Sequence, residues 1–328
     1  MGTRSERAVS LSGNRQVVSV MGDYIQYGAC LIWGKLIKLS PEEMCIIIDD
    51  INSFRPSIFI GGQSCDIEFT VVYENDSPHI QLNFSMDKAP LYEDGALEEG
   101  TLMFVDGIVV DRLKDVLFAI NLAYPGHIHF FRSTLYRDGN PVREFAFSTD
   151  ISGAAYQECK WIPFERLTIQ HCWSWICTKT NFLDGVSKTS IDRALHALSY
   201  ESVANEDMYI FYIMLGLEAI YNDGSNIEES ISSQMKRKVQ SLLGDIPSSA
   251  VNDIKAMYRR RSSLVHGNAN IYKCWGSDNC TEDEADKIDK ERDYIITATG
   301  ILIATLQKFI KANANLIKEN VIVSLETE

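Results

Sequence analysis

The sequence predicts two parts: an α+β N-terminal domain built on β-hairpins, residues 1–160, and an all-α helical bundle, residues 161–328. Period-two alternation of apolar residues is confined to the first half, and helical spacing runs through the second. At 328 residues and 45% hydrophobic content the chain can fill two cores and is too apolar to stay disordered. In the first half, DIEFTVVY (66–73) and HIQLNFSM (79–86) alternate on either side of a turn-like stretch with Asn75, Asp76 and Ser77, which is a hairpin signature. HIHFFRSTLY (127–136) and VREFAFST (142–149) form a second pair across RDGNP, where Asp138, Gly139, Asn140 and Pro141 supply turn chemistry. A helix is expected over 40–52, with Ser40 as N-cap, Pro41 at the first helical position and Glu43 closing a capping box. Another is expected over 111–123, with Val110, Leu113, Val116, Leu117 and Ile120 on one face. After Trp161 helices are expected over 165–182, 188–199, 203–222, 227–243, 248–265 and 284–318, with no strand among them. MYIFYIMLGLEAIY (208–221) is apolar on nearly every face and reads as the central helix of the bundle.

Charge and cysteine usage narrow the function classes. The net charge of −14 excludes attraction of the whole surface to a polyanion, so any nucleic-acid contact must be local. The strongly apolar run at 208–217 is shorter than the roughly 20 residues that span a bilayer, so no membrane partner is expected. MGTRSERAVSLSGNRQ at the start lacks the apolar core of a signal peptide, and Glu6 stands where N-myristoylation needs Ser or Thr. A cytoplasmic protein is the expectation. No pair of the eight cysteines has the two-residue spacing of a zinc knuckle or a redox dithiol, and reduced, buried thiols are expected. His171, Cys172 and Cys177 do not converge on one ion, because residues five apart on a helix point about 140° away from each other. His127 and His129 share one face of a strand but lack a third ligand, and no metal or other cofactor is expected. Trp173 and Trp175 read as core or domain interface.

One stretch departs from the acidic average. Between 235 and 261, Lys236, Arg237, Lys238, Lys255, Arg259, Arg260 and Arg261 oppose only Asp245 and Asp253, and an acidic block from Asp278 to Asp293 follows. The run ends in IKAMYRRRSSLVHGN (254–268), with Arg261 and His266 separated by four residues. This string resembles the signature of the HEPN superfamily, in particular the Apea-like HEPN domains, whose last motif runs Tyr, Arg-Ser and then Val-His-Gly. SIDRALHAL (190–198, with Arg193), FYIMLGLEAIYN (211–222) and NIEESISSQMKRKVQSLLG (226–244) resemble that family's earlier helices. The resemblance covers roughly residues 165–312 and leaves the N-terminal 160 residues without a counterpart.

The resemblance implies a bundle that forms a homodimer and acts as a metal-independent endoribonuclease, with an arginine and a histidine from each protomer lining a shared cleft. The residue types suit that chemistry. Histidine is the side chain that moves protons near neutral pH without perturbation, and a guanidinium is a permanent cation for the charge gathering on phosphorus. His266 and Arg261 take these roles, supported by Glu218, Arg260, Ser262 and Asn268, while Lys236, Arg237, Lys238 and Arg259 would hold RNA. Arg259, Arg260 and Arg261 all satisfy the general spacing, and Arg261 is preferred because the family places Ser next, here Ser262. Asn268 stands where HEPN toxins paired with nucleotidyltransferase antitoxins carry Tyr, so that partnership is not implied. On a regular helix Arg261 and His266 lie about 140° apart, and Gly267 can end the helix and free the histidine. His266 also reads as a helix C-cap, and Glu218 as the partner of Arg193 or of one of the three arginines. The expected function is an RNA endonuclease of the anti-phage or toxin type, with residues 1–160 as sensor or substrate-selecting module. The rival reading is a non-catalytic HEPN dimer serving as an interaction or RNA-binding scaffold, and a third is a ligand-binding regulator that works through its N-terminal sheet.

Overall fold

The computed structural model describes residues 24–34, 39–74, 77–87, 99–203, 206–222, 230–268, 281–319 and 323–326. The turn at Asn75 and Asp76, the expected helical residues 204–205 and 227–229, and Cys274, Asp278 and Cys280 lie outside them, as does the N-terminal stretch to residue 23.

The first half is an antiparallel five-stranded sheet backed by helices. Its central strand is β1 (Tyr24–Gly34), where Ile25, Tyr27, Ala29 and Leu31 alternate into the core. β1 pairs on one side with β5 (Ser77–Asp87), Ala29 opposite Leu82, and on the other with β6 (His129–Arg137), Ala29 opposite Leu135. β4 (Glu68–Glu74) and β7 (Asn140–Phe147) form the edges, giving the order β4-β5-β1-β6-β7. The two expected hairpins are therefore present, with β1 inserted between them. β2 (Ser57–Ile60) and β3 (Gln63–Asp66) add a small hairpin whose loop, Gly61 and Gly62, has positive φ at both positions, as a tight two-residue turn requires. α1 (Pro41–Ser53) starts with the expected Ser40–Glu43 capping box and packs on β4. α2 (Glu99–Ala123) begins well before the expected residue 111 and lies against β7 and β2. Its Asp106 accepts from Tyr27 at 2.9 Å and from Arg137 at 2.9 Å, tying the helix to two strands through a buried ion pair.

The histidines expected on a strand surface are buried instead. His127 precedes β6, its Nδ1 lies 2.9 Å from Pro125 O, and its ring packs edge-on against Tyr156. His129 accepts from Thr149 N–H at 3.2 Å. Burial pushes both imidazoles below the usual histidine range, which fits neutral rings fixing a loop.

α3 (Asp150–Glu158) joins the sheet to the helical half. At its start Glu201, from a 3₁₀ turn in the bundle, accepts from Ser152 N–H at 2.6 Å and from Ser152 O–H at 2.5 Å. Ser152 Oγ in turn receives a bond from Asn121 of α2 at 3.0 Å. Burial drives the Glu201 carboxyl up to about 7 against these hydrogen bonds. Beside this knot Gly126, at φ 67°, lies so close to Gly153 that a Cβ would stand 2.0 Å from its Cα.

The second half contains α4 (Ile169–Lys179), α5 (Ser190–Ser199), α6 (Glu206–Tyr221), α7 (Ile231–Leu243), α8 (Ser248–Val265) and α9 (Glu282–Ala312). α4 is shorter than the expected 165–182 helix, with Thr168 capping its start and a separate 3₁₀ turn at Phe182–Asp184 beyond its end. The expectation that α6 is the central helix is corrected. α9 touches α3, α6, α7 and α8 and buries Ile301, Leu302, Leu306 and Ile310, whereas α6 leaves Phe211, Tyr212, Leu215, Glu218 and Ala219 half-exposed along one stripe. Among the described residues α9 is the one helix long and apolar enough to cross a membrane, and its apolar window is mostly buried in the protein. It ends at Ala312, not 318, and strands β8 (Leu316–Glu319) and β9 (Val323–Glu326) form a hairpin where continuous helix was expected. The chain leaves the helix at Asn313, φ 52°, a left-handed conformation that asparagine tolerates. Trp175 then anchors the turn by donating to Ala314 O at 2.8 Å, and Trp173 is also buried. Buried residues of both halves form one continuous core.

Candidate functional site

The motif-bearing helix ends where the sequence places its stop. Gly267 has φ 70°, its N–H donates to Leu264 O at 3.2 Å, and Asn268 N–H donates to Ser263 O at 2.8 Å. This pair of crossed bonds is a Schellman motif, and it makes His266 the C-cap residue, with φ −90° and ψ 5°. His266 is exposed, and its ring has no hydrogen-bond partner among the described residues. Ser262 contributes the carbonyl that receives the His266 N–H at 3.1 Å, and Asn268 contributes the backbone bond just described.

Arg261 lies five residues earlier, about 7.5 Å along the helix axis, and is turned toward α6. Its guanidinium stands 3.5 Å from a Glu218 oxygen and over the Phe211 ring, 5.9 Å from the centroid. One Glu218 oxygen and the Arg261 Nε are buried without a hydrogen-bond partner. Burial raises the Glu218 carboxyl above the usual range and outweighs the opposing pull of Arg261. The arrangement is a cation and a carboxylate held at the bundle surface with bonding capacity left over. Among the described residues the side-chain partners of Arg261 are Glu218 and Phe211, and His266 is not one of them.

The other basic residues separate by burial. Arg260 pairs with Glu291 of α9 at 2.9 Å, and both side chains are mostly covered. Arg259, Lys236 and Arg237 are exposed. Lys238, expected to contact RNA, is corrected: it is 2% exposed on the inner face of α7, beside buried Met235 and Val239, where no phosphate reaches it. The expected basic surface is also partly neutralised, because α8 packs on α9 and Arg260 is paired there with Glu291.

An open groove of about 640 Å³ borders the Glu218–Arg261 pair, lined by Arg193, His196, Tyr200, Tyr212, Leu215 and Glu218. Of these only Arg193 and Glu218 stand out in the sequence. The amphipathic spacing of SIDRALHALSY could have flagged His196 and Tyr200, but the role of α6 as a groove wall depends on tertiary packing. Gly216 permits that packing, since a Cβ there would meet Ala197 Cβ and Leu302 Cδ2, both at 2.9 Å.

Among the described residues no group of three or more His, Cys, Asp or Glu is placed to hold a metal ion. His171, Cys172 and Cys177 remain apart on α4, Cys172 buried and Cys177 exposed. Cys65 and Cys159 are buried free thiols, whereas Cys45, like Cys177, is exposed. No family model, curated protein or solved structure matches this chain.

Proposed function

We propose that the protein is a metal-independent endoribonuclease of the HEPN type, acting as a homodimer with Arg261 and His266 of each protomer facing a shared cleft. The observation that carries this reading is the placing of the two side chains. A half-buried guanidinium is oriented by Glu218 and Phe211, and an exposed histidine is set at a helix end by a left-handed glycine. In the proposed reaction His266 takes the 2′-hydroxyl proton as the 2′-oxygen bonds to phosphorus. The bond from phosphorus to the 5′-oxygen breaks, and that oxygen leaves with a proton from the second histidine or from water. The products are a 2′,3′-cyclic phosphate and a 5′-hydroxyl. Arg261 neutralises the extra charge on the pentacoordinate phosphorus, and Glu218 acts as a positioning residue that holds the guanidinium. A positioned proton-transfer group contributes roughly 10²- to 10⁴-fold, so His266→Ala should remove nearly all cleavage. The biological setting that fits such an activity is anti-phage defence or a toxin-type effector, with the N-terminal sheet selecting substrate or sensing a trigger.

The rival reading, a non-catalytic dimer, draws on the engagement of Arg260 and Arg261 with Glu291 and Glu218, which a purely structural helix end would also show. Incubating wild-type and His266→Ala protein with total RNA in EDTA, followed by end-group analysis, separates the two. Cyclic phosphate ends made by the wild type alone support the nuclease. RNA left intact by folded, full-length wild type supports the scaffold.

A further inference from the structure

We infer that the groove between α5 and α6 is a subsite for single-stranded RNA, in which Tyr200 stacks a base and Arg193 holds the adjoining phosphate. The inference deepens the ribonuclease reading and rests on it for the cleavage step, but not for binding. Tyr200 lies on Tyr212 with ring centroids 3.7 Å apart and planes 4° apart, and it remains 38% exposed. Two rings already stacked form a rigid platform whose open face can take another flat ring at little entropic cost, which is how proteins hold unpaired bases without reading sequence. The platform is held in place because Tyr200 begins the 3₁₀ turn directly after α5, and α5 packs against α6, which carries Tyr212, at Gly216.

Arg193 supplies the charge. It is exposed, donates to Ser190 Oγ at 3.2 Å and, among the described residues, has no carboxylate within ion-pair distance, unlike Arg260 and Arg261. In a chain of net charge −14, an arginine left without a carboxylate beside a stacked aromatic pair favours an anionic ligand with a flat ring. His196 forms a fixed part of the wall. Phe182 O, 3.2 Å from Nε2, can only accept, so Nε2 carries the proton and Nδ1 accepts from Ser187 O–H at 2.7 Å. Glu218 lines the same groove and stands 3.5 Å from Arg261, so a strand lying on Tyr200 is close to one of the proposed cleavage residues. Its volume falls within the usual range of ligand sites. Bases in a duplex are already stacked on their neighbours, so the platform selects single strands.

The test is fluorescence anisotropy with the full-length protein and a labelled 2′-O-methyl single-stranded oligonucleotide, which binds but lacks the attacking hydroxyl. Tyr200→Ala should weaken binding roughly fivefold or more, the lower end of what stacking one base supplies. Tyr200→Phe should bind as the wild type does. Arg193→Gln should reduce the slope of log affinity against log salt by about 0.7, the value for one single-strand phosphate contact. The same oligonucleotide in duplex form should bind less tightly. Wild-type affinity and salt slope in both Tyr200→Ala and Arg193→Gln would overturn the inference, as would absence of binding by the wild type. So would a Tyr200→Ala variant that loses self-association while keeping its RNA affinity, since the platform would then be covered by a second copy. If the variants bind less RNA but wild type and His266→Ala both leave RNA uncut, the subsite stands and the nuclease reading falls. If the wild type cuts RNA and the groove variants bind and cut equally well, the reverse holds.

Discussion

Raising the pH from 5 to 8 should remove the stability that the protonated carboxyl of Glu201 contributes. Its carboxyl is enclosed between the 3₁₀ turn of the bundle and the start of α3, and burial moves it from 4.5 to about 7. Between those values the folded protein keeps a proton that the unfolded chain has released. The stabilisation is therefore fully present below about pH 4.5, declines as pH rises toward 7 and is gone above it. A shift of that size corresponds to about 3 kcal/mol, an order-of-magnitude figure that is a large share of the stability of an ordinary domain. Glu201→Gln keeps an acceptor for the Ser152 N–H and carries no charge at any pH. Urea unfolding of both proteins at pH 5 and pH 8 reads the difference directly. The wild type should lose about 2.5 kcal/mol more than the variant over that interval, the remainder of the shift lying below pH 5. Asp115, raised to about 6 by burial beside Arg112, and the buried His127 and His129, held below the usual histidine range, give both proteins residual slopes of opposite sign, which the comparison cancels. Parallel losses in the two proteins would refute the account of Glu201 as a buried acid that holds its proton.

Further outcomes follow from the same geometry. His266→Ala should leave the melting temperature nearly unchanged, because the ring is exposed and without a partner, whereas Arg261→Ala should cost roughly 1–3 kcal/mol by stranding Glu218; thermal unfolding of the two variants checks this. Gly126→Ala combines a left-handed backbone with a Cβ driven into Gly153, and should destabilise by more than about 2 kcal/mol or prevent folding, as judged by soluble yield and denaturant titration. Trp175→Phe removes the bond to Ala314 O and should cost roughly 1–3 kcal/mol, read from its urea midpoint.

Elements with local signals were legible in the sequence, and those that depend on partners were not. The capping box at Ser40, the hairpin pairs and the end of α8 at Gly267 are short-range chemistry, and they stand where the pattern put them. β1 has clean alternation in Ile25, Tyr27, Ala29 and Leu31, but Gly28 and Ala29 dilute its strand propensity, and only pairing on both sides makes it the centre of the sheet. The first turns of α2 were hidden by Gly100 and Gly107, weak helix formers that the contacts of α2 with β2 and β7 override. The rank of α6 is not legible in the sequence because an apolar helix can be buried on one side and open on the other, and composition does not distinguish these cases. At the site, the positions of Arg261 and His266 on their helix were readable. The partners that separate Arg261 from Arg260, one facing α6 and the other α9, are long-range contacts without a sequence pattern.

The central place of α9 has a consequence for how the protein is made. Synthesis delivers α4 to α8 first, at roughly 5–20 residues per second, and domains tend to fold in order of emergence. Here the helix that fills the middle of the bundle, with Ile301, Leu302, Leu306 and Ile310 buried, is the last of the described helices to leave the ribosome. Until it arrives α8 lacks the wall that carries Glu291, and the earlier helices have no common centre to close around. A nascent chain stalled before residue 295 should therefore be cut readily by protease across α5 to α8, where the finished protein resists. On the proposed ribonuclease reading, the chain would emerge beside the RNA of its own ribosome before the bundle that carries Arg261 and His266 has closed.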